Sequence, residues 1–177
     1  NQDKLFSIFQ EHKHWIDILH APYVSMINDM VKSGKSNQLI QISEALHEKK
    51  YAEIADCITK KKDDIKIVFL AGPSSSGKTT SCRRLATQLA VNGINPVQIS
   101  MDDYFNNREH TPRDKNGEYD FECLEAVDLE FFNNQMQELL KGNEVELPRF
   151  DFIKGEKFPS GNKVRLSENS VLIVEGI

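Results

Sequence analysis

One stretch of eight residues limits what this chain can become. Gly72-Pro73-Ser74-Ser75-Ser76-Gly77-Lys78-Thr79 stands directly behind the nearly continuous apolar run Ile65-Lys66-Ile67-Val68-Phe69-Leu70-Ala71. Such a run reads as a buried parallel strand. Lys78 to Asn92 reads as a helix, with Leu85, Ala86 and Leu89 inward and Gly93 just past its end. A turn of the form G-x-x-x-x-G-K-[ST] between strand and helix has a mechanical meaning. Its glycines let successive N–H groups turn inward as a nest for phosphate oxygens. Lys78 sets a point charge against the outer phosphates, and the Thr79 hydroxyl can reach a magnesium ion. The helix behind offers its positive end to the same anion. The loop from Gly72 through Thr79, with Thr80 behind it, is therefore expected to hold the phosphates of ATP together with Mg²⁺.

The rest of the C-terminal part continues the alternation of strand and helix. Val97 to Met101 reads as a second strand, residues 106–120 as a polar loop, and Asp128 as the cap of a helix through Leu140 that ends at Gly142. Val145 to Phe152 and Lys163 to Leu166 read as a small hairpin, and Val171-Leu172-Ile173-Val174 as a third buried strand. This predicts an α/β fold: a parallel sheet of the P-loop NTPase type with flanking helices.

Residues 1–62 have a different texture. Leu5, Ile8, Phe9, Trp15, Ile16 and Leu19 recur at helical spacing, Pro22 interrupts, and a short helix follows that Gly34 closes. A third helix, capped at Ser36 or Asn37, buries Leu39, Ile42, Leu46, Ile54 and Ile58 and ends in Lys60-Lys61-Lys62. The division expected is a helical arm or linker, 1–62, followed by a nucleotide-binding part, 63–177.

Two acids stand where such a sheet works on its ligands, at the carboxyl ends of strands. Asp102, first after the second strand, is the candidate base for an attacking hydroxyl, with Asp103 in reserve. Glu175, directly after the third strand, is the candidate for organising the metal beside Thr79. Tyr104, Phe105, Tyr119, Phe121, Phe150 and Phe152 gather near the expected loops, either walling a pocket for a flat ring or packing in the core. Arg113, Arg149 and Lys154 are cations that could touch phosphate or sugar. Cys82 stands close to the start of the loop helix, where the dipole could lower its pKa, or it serves as a small packing residue.

Composition narrows the partners. With 22 Lys and Arg against 27 Asp and Glu the net charge is −5, which argues against a basic nucleic-acid footprint. Residues 1–60 lack the interleaved basic and aromatic residues of an RNA-binding appendage. Three scattered cysteines, Cys57, Cys82 and Cys123, read as reduced thiols. No run is apolar enough for a membrane span, and the first residues given lack the apolar stretch of a signal peptide. The expectation is a cytoplasmic protein with a small-molecule partner, without nucleic acid or membrane.

Together, A-G-P-S-S-S-G-K-T-T, S-M-D-D-Y-F, Y-D-F-E-C-L-E-A-V-D, P-R-F-D-F and V-L-I-V-E-G-I resemble the uridine kinase and phosphoribulokinase family of P-loop kinases, from about Ile65 to Ile177. The arm resembles the segment before the kinase in a subgroup with a threonyl-tRNA-synthetase-like N-terminal portion. The resemblance implies an ATP-dependent kinase that phosphorylates a ribose-type hydroxyl of uridine or cytidine. It implies Asp102 as catalytic base beside Lys78, and Tyr104, Phe121 and Phe150 as aromatic residues around the acceptor. It further implies Glu122 as the acid on the ribose hydroxyls and Glu175 as the metal-associated acid. Two departures stand out. The run after Phe150, Asp-Phe-Ile-Lys-Gly, lacks the histidine with which uridine kinases read the base. The chain also stops at Ile177, before the arginine-bearing lid and last strands of such a kinase. A fragment incomplete at its C-terminus is expected, inactive in isolation and prone to self-association through an unpaired sheet edge. A sugar phosphate or pantothenate as acceptor stays open, as does a nucleotide-binding module without catalysis.

Overall fold

A computed structural model describes residues 2–121 and 123–176. The chain divides into two compact units, Asn1–Glu53 and Ile54–Ile177. The first holds helices α1 (Gln2–Leu19) and α2 (Val24–Lys32) and the greater part of α3 (Ser36–Lys60). Trp15 meets His47 edge-on at 5.4 Å between ring centroids, and Lys50 pairs with Glu11. The helical periodicity of α1 is as read, but its apolar positions Leu5, Ile8 and Phe9 are exposed. Of the stripe expected along α3, Ile58 is buried while Ile54 is exposed.

In the second unit, β1 (Ile67–Ala71), β2 (Asn95–Ser100) and β5 (Ser170–Gly176) form a parallel sheet in the order β1-β5-β2. The central strand is buried along its length because both neighbours are paired and both faces are covered. Side chains alternate along a strand. Leu172 and Val174 face a core shared with Tyr104, Phe105, Phe132, Met136 and Leu139. Val171, Ile173 and Glu175 accordingly point the other way, towards α4 (Lys78–Val91), whose Cys82, Leu85, Ala86 and Leu89 are buried. Among the described residues β1 pairs only with β5, and Phe69 is 62% exposed.

Helix α5 (Leu129–Leu140) is capped as read: Asp128 accepts from the Phe131 N–H at 3.1 Å. The hairpin differs from its expected limits. β3 (Val145–Asp151) pairs with β4 (Glu156–Val164), so the second strand begins at Glu156 and not at Lys163. The added stretch contains Pro159 and Gly161, which weaken a strand pattern. A two-stranded ribbon tolerates both, since Pro148 lies opposite Pro159 beside a register shift, where no ladder donor is required. The second sheet strand is also displaced. It starts at Asn95 and ends at Ser100, and Met101 opens a 3₁₀ turn, Met101–Tyr104.

Candidate active site

Register assembles the site. In the β1–β5 pair Leu70 lies opposite Glu175 and Ala71 opposite Gly176, so the exit of β1 into the glycine loop runs beside Glu175. In the β2–β5 pair Ser100 lies opposite Glu175. One carboxylate oxygen of Glu175 therefore accepts from the Thr79 hydroxyl at 3.0 Å and from the Ser100 hydroxyl at 3.2 Å. Residue Glu175 is 9% exposed, which shields this hydroxyl–carboxylate group from bulk solvent.

The loop itself has the conformation a phosphate cradle requires. Ser75 and Gly77 have φ of 59° and 85°, the second at the N-cap of α4. A Cβ on Gly72 would sit 2.9 Å from the Ser76 hydroxyl, so a side chain there would displace that hydroxyl within the loop. The Lys78 ammonium donates to the carbonyls of Gly72 at 2.8 Å and Pro73 at 3.1 Å, folding back across its own loop. Ser74, Ser75, Ser76, Thr79 and Thr80 are exposed around this turn, accessible to a ligand.

These residues fit a magnesium-bound triphosphate. Thr79 and Glu175 supply hard oxygen donors at the positive end of α4, and Gly72 leaves open the space a side chain would fill. No cluster of three metal-binding side chains occurs among the described residues.

Asp102 lies in the 3₁₀ turn at the end of β2. It is exposed and has no side-chain hydrogen bond among the described residues. Crowding by the protein, and secondarily the negative charges of Glu175 and Asp103, hold its carboxyl above the ordinary carboxylate value against the opposing pull of Lys78. An unpaired carboxylate with raised basicity, near the loop lysine, can accept a proton. Asp103 is engaged otherwise: its side chain accepts from the Phe150 N–H at 3.2 Å and meets Arg149 at 3.4 Å.

A cavity of about 490 Å³ adjoins the metal-side group, lined among others by Thr79, Arg83, Asp103, Tyr104, Arg149 and Glu175. Tyr104 is 1% exposed, and its hydroxyl donates to Gln135 at 2.8 Å. Phe121 and Phe150 do not line this cavity. They pack edge-on against Phe105, at 5.3 and 5.7 Å between centroids. Glu122 lies outside the described residues. Arg113 stacks on Tyr119 at 4.2 Å and donates to its hydroxyl. The backbone N–H of Lys154 donates to Asp151 within the hairpin turn.

Of the two readings of Cys82, the structure favours the packing residue, since its side chain is buried beneath α4. Burial, reinforced by the charge of Glu175, raises the thiol to about 11 against the opposing charge of Arg83. Two site-building residues were missed. Ser100 gave no signal, being one more small polar residue at a strand end. Gly176 gave one: a glycine ending an apolar strand marks close backbone approach. A Cβ there would stand 2.7 Å from the Cβ of Met101.

Residues 67–177 match the model of the phosphoribulokinase / uridine kinase family. The uridine kinase of Schizosaccharomyces pombe is 33% identical over 118 residues, 64% of this chain and 24% of that protein. The chain thus spans about a quarter of that relative's length. Among solved structures, a protein of Silicibacter sp. TM1040 provisionally named a fructose transport system kinase superposes with a TM-score of 0.58 at 24% identity. That superposition covers 71% of this chain and 62% of the other. A protein of Bacillus stearothermophilus provisionally named a uridine kinase superposes with a TM-score of 0.52 at 26% identity, over 69% and 68%. The fold is that of P-loop kinases, and the chain belongs to the phosphoribulokinase / uridine kinase family.

Proposed function

We propose that the whole protein is an ATP-dependent kinase that transfers the γ-phosphoryl group to a ribose-type hydroxyl, with uridine or cytidine as acceptor. In this reading residues 63–177 form the N-terminal part of the kinase domain and 1–62 a helical arm. The observation that carries the reading is convergence. Two strand registers and one helix start bring Lys78, Thr79, Glu175 and the turn bearing Asp102 to the same end of the sheet. Bound with the triphosphate, magnesium would neutralise charge on the phosphates. Thr79 and Glu175 would hold it. Lys78 exchanges the carbonyls of Gly72 and Pro73 for phosphate oxygens, and the nest from Gly72 to Thr80 orients them. Asp102 takes the proton of the attacking hydroxyl, and Glu122 is the acid for the ribose hydroxyls; of the aromatic residues assigned to the acceptor, Tyr104 borders the cavity beside Glu175, while Phe121 and Phe150 pack on Phe105 outside it. A cytoplasmic location belongs to this reading, supported by free Cys57, Cys82 and Cys123 and by the lack of any described helix able to cross a membrane. So does self-association along β1, supported by exposed Phe69.

One observation favours a different small alcohol as acceptor. At the hairpin turn Gly155 leaves no side chain to read a base, and Arg108 occupies the space, 2.6 Å from where a Cβ would stand. Phosphorylation of a panel of nucleosides, sugar phosphates and pantothenate by the whole protein decides between the acceptors. Transfer to uridine or cytidine above all others is expected, and transfer to none of the panel would refute the kinase reading.

A further inference from the structure

Asp102 and Asp103 are adjacent, yet only Asp103 is tied down. The Asp103 side chain is 19% exposed, and its Oδ1 accepts from the Phe150 N–H on β3 while Oδ2 faces Arg149. Three further bonds join the same segment to the same hairpin. Asn107 Oδ1 accepts from the Lys157 N–H at 2.9 Å. The Arg108 N–H donates to the Gly155 carbonyl at 2.8 Å, and its guanidinium donates to the Phe152 carbonyl at 2.7 Å. On the opposite side of Asp102, Met101 is wedged against Gly176 at the end of β5. Asp102 is thus carried on a turn gripped from two sides, by the sheet through Met101 and by the hairpin through Asp103. Its own carboxylate takes no part in the grip.

We propose that Asp103 is a positioning residue for phosphoryl transfer: its bond to the Phe150 N–H transmits the position of the β3–β4 hairpin to the Asp102 carboxylate. This rests on the reading of Asp102 as the base. The hairpin also carries Leu147, Pro148 and Arg149, which line the cavity beside Glu175, so one hydrogen bond couples a wall of that cavity to the base. A proton transfer is sensitive to such alignment, and a misplacement of about 1 Å can cost roughly a hundredfold in rate.

The test compares Asp103→Ala, which removes the acceptor, with Asp103→Asn, which keeps an oxygen for the Phe150 N–H, in the whole protein. Asp103→Ala should lower kcat by about 10-fold or more while leaving the KM for ATP within about twofold. Asp103→Asn should recover most of kcat. Hydrogen exchange at the Phe150 amide should quicken in the alanine variant and not in the asparagine variant. Wild-type kcat in Asp103→Ala, with that amide exchanging faster, would overturn the proposal. Equal losses in both variants would overturn it too, since charge and not position would then matter. Should the alanine variant fail to fold, Asn107→Ala removes the neighbouring tie. A fall in kcat at unchanged ATP KM supports the coupling, and full kcat contradicts it. Asp102→Asn separates the two levels. If it keeps full turnover, the base reading fails; if it is inactive while Asp103→Ala is unimpaired, only the positioning role fails.

Discussion

Thr79 and Glu175, 96 positions apart in sequence, meet through a 3.0 Å hydrogen bond from hydroxyl to carboxylate. Nothing local produces this contact. It follows from the parallel register that sets Leu70 opposite Glu175, and from strand alternation, which turns Glu175 towards α4. Glu175→Gln keeps the hydrogen-bond acceptor but removes the charge. It should raise the Mg²⁺ concentration needed for half-maximal nucleotide binding by about 10-fold. Magnesium titration of nucleotide binding checks this, and an unchanged midpoint would remove Glu175 from the metal's surroundings.

Asp102 sets activity against stability. Because its carboxyl titrates above its ordinary 3.8, the folded state disfavours the charged form that catalysis needs. Asp102→Asn should therefore lower kcat by at least ~100-fold with little change in ATP affinity. The same variant should melt at a higher temperature than wild type at pH 7. The sign follows from linkage. Above both pKa values wild type holds an unfavourable charge; below the unfolded value it is protonated in both states, and the difference vanishes. A melting temperature lower than wild type at pH 7 would contradict this account of the raised pKa.

Gly176→Ala tests the wedge between β5 and the base-bearing turn. The added Cβ meets the Met101 Cβ, an atom that cannot swing aside without its backbone. The expected cost is about 1–3 kcal/mol of stability, read by urea denaturation, together with a lowered kcat. Unaltered stability would mean that the turn moves freely over the strand end.

The thiols should differ sharply in reactivity. Cys82 is buried and raised to about 11, while Cys57 is exposed. At pH 8 an alkylating reagent should modify Cys57 at least ~100-fold faster than Cys82, by mass spectrometry of the intact folded chain. Comparable rates would show that Cys82 is open to solvent.

What could be read from sequence was what local chemistry dictates. The phosphate loop announces itself because glycine, lysine and threonine each have a backbone or charge requirement at a fixed spacing. β5 announces itself because a strand covered on both faces is apolar where it crosses the core, here from Val171 to Val174. β4 was hidden because an exposed ribbon imposes no apolar pattern, and its proline faces another proline. The different duties of Asp102 and Asp103 were equally hidden. Two identical side chains side by side are told apart only by what folds against them, and for Asp103 that is the backbone of Phe150.

The most direct measurement of the central claim follows label from γ-labelled ATP into uridine or cytidine, with the whole protein and its Lys78→Ala variant in parallel. Among the described residues Lys78 donates only to carbonyls of its own loop, so its removal should leave the fold intact by circular dichroism. The account predicts labelled product with the wild type and at least ~100-fold less with the variant. Transfer by Lys78→Ala at the wild-type rate would contradict it.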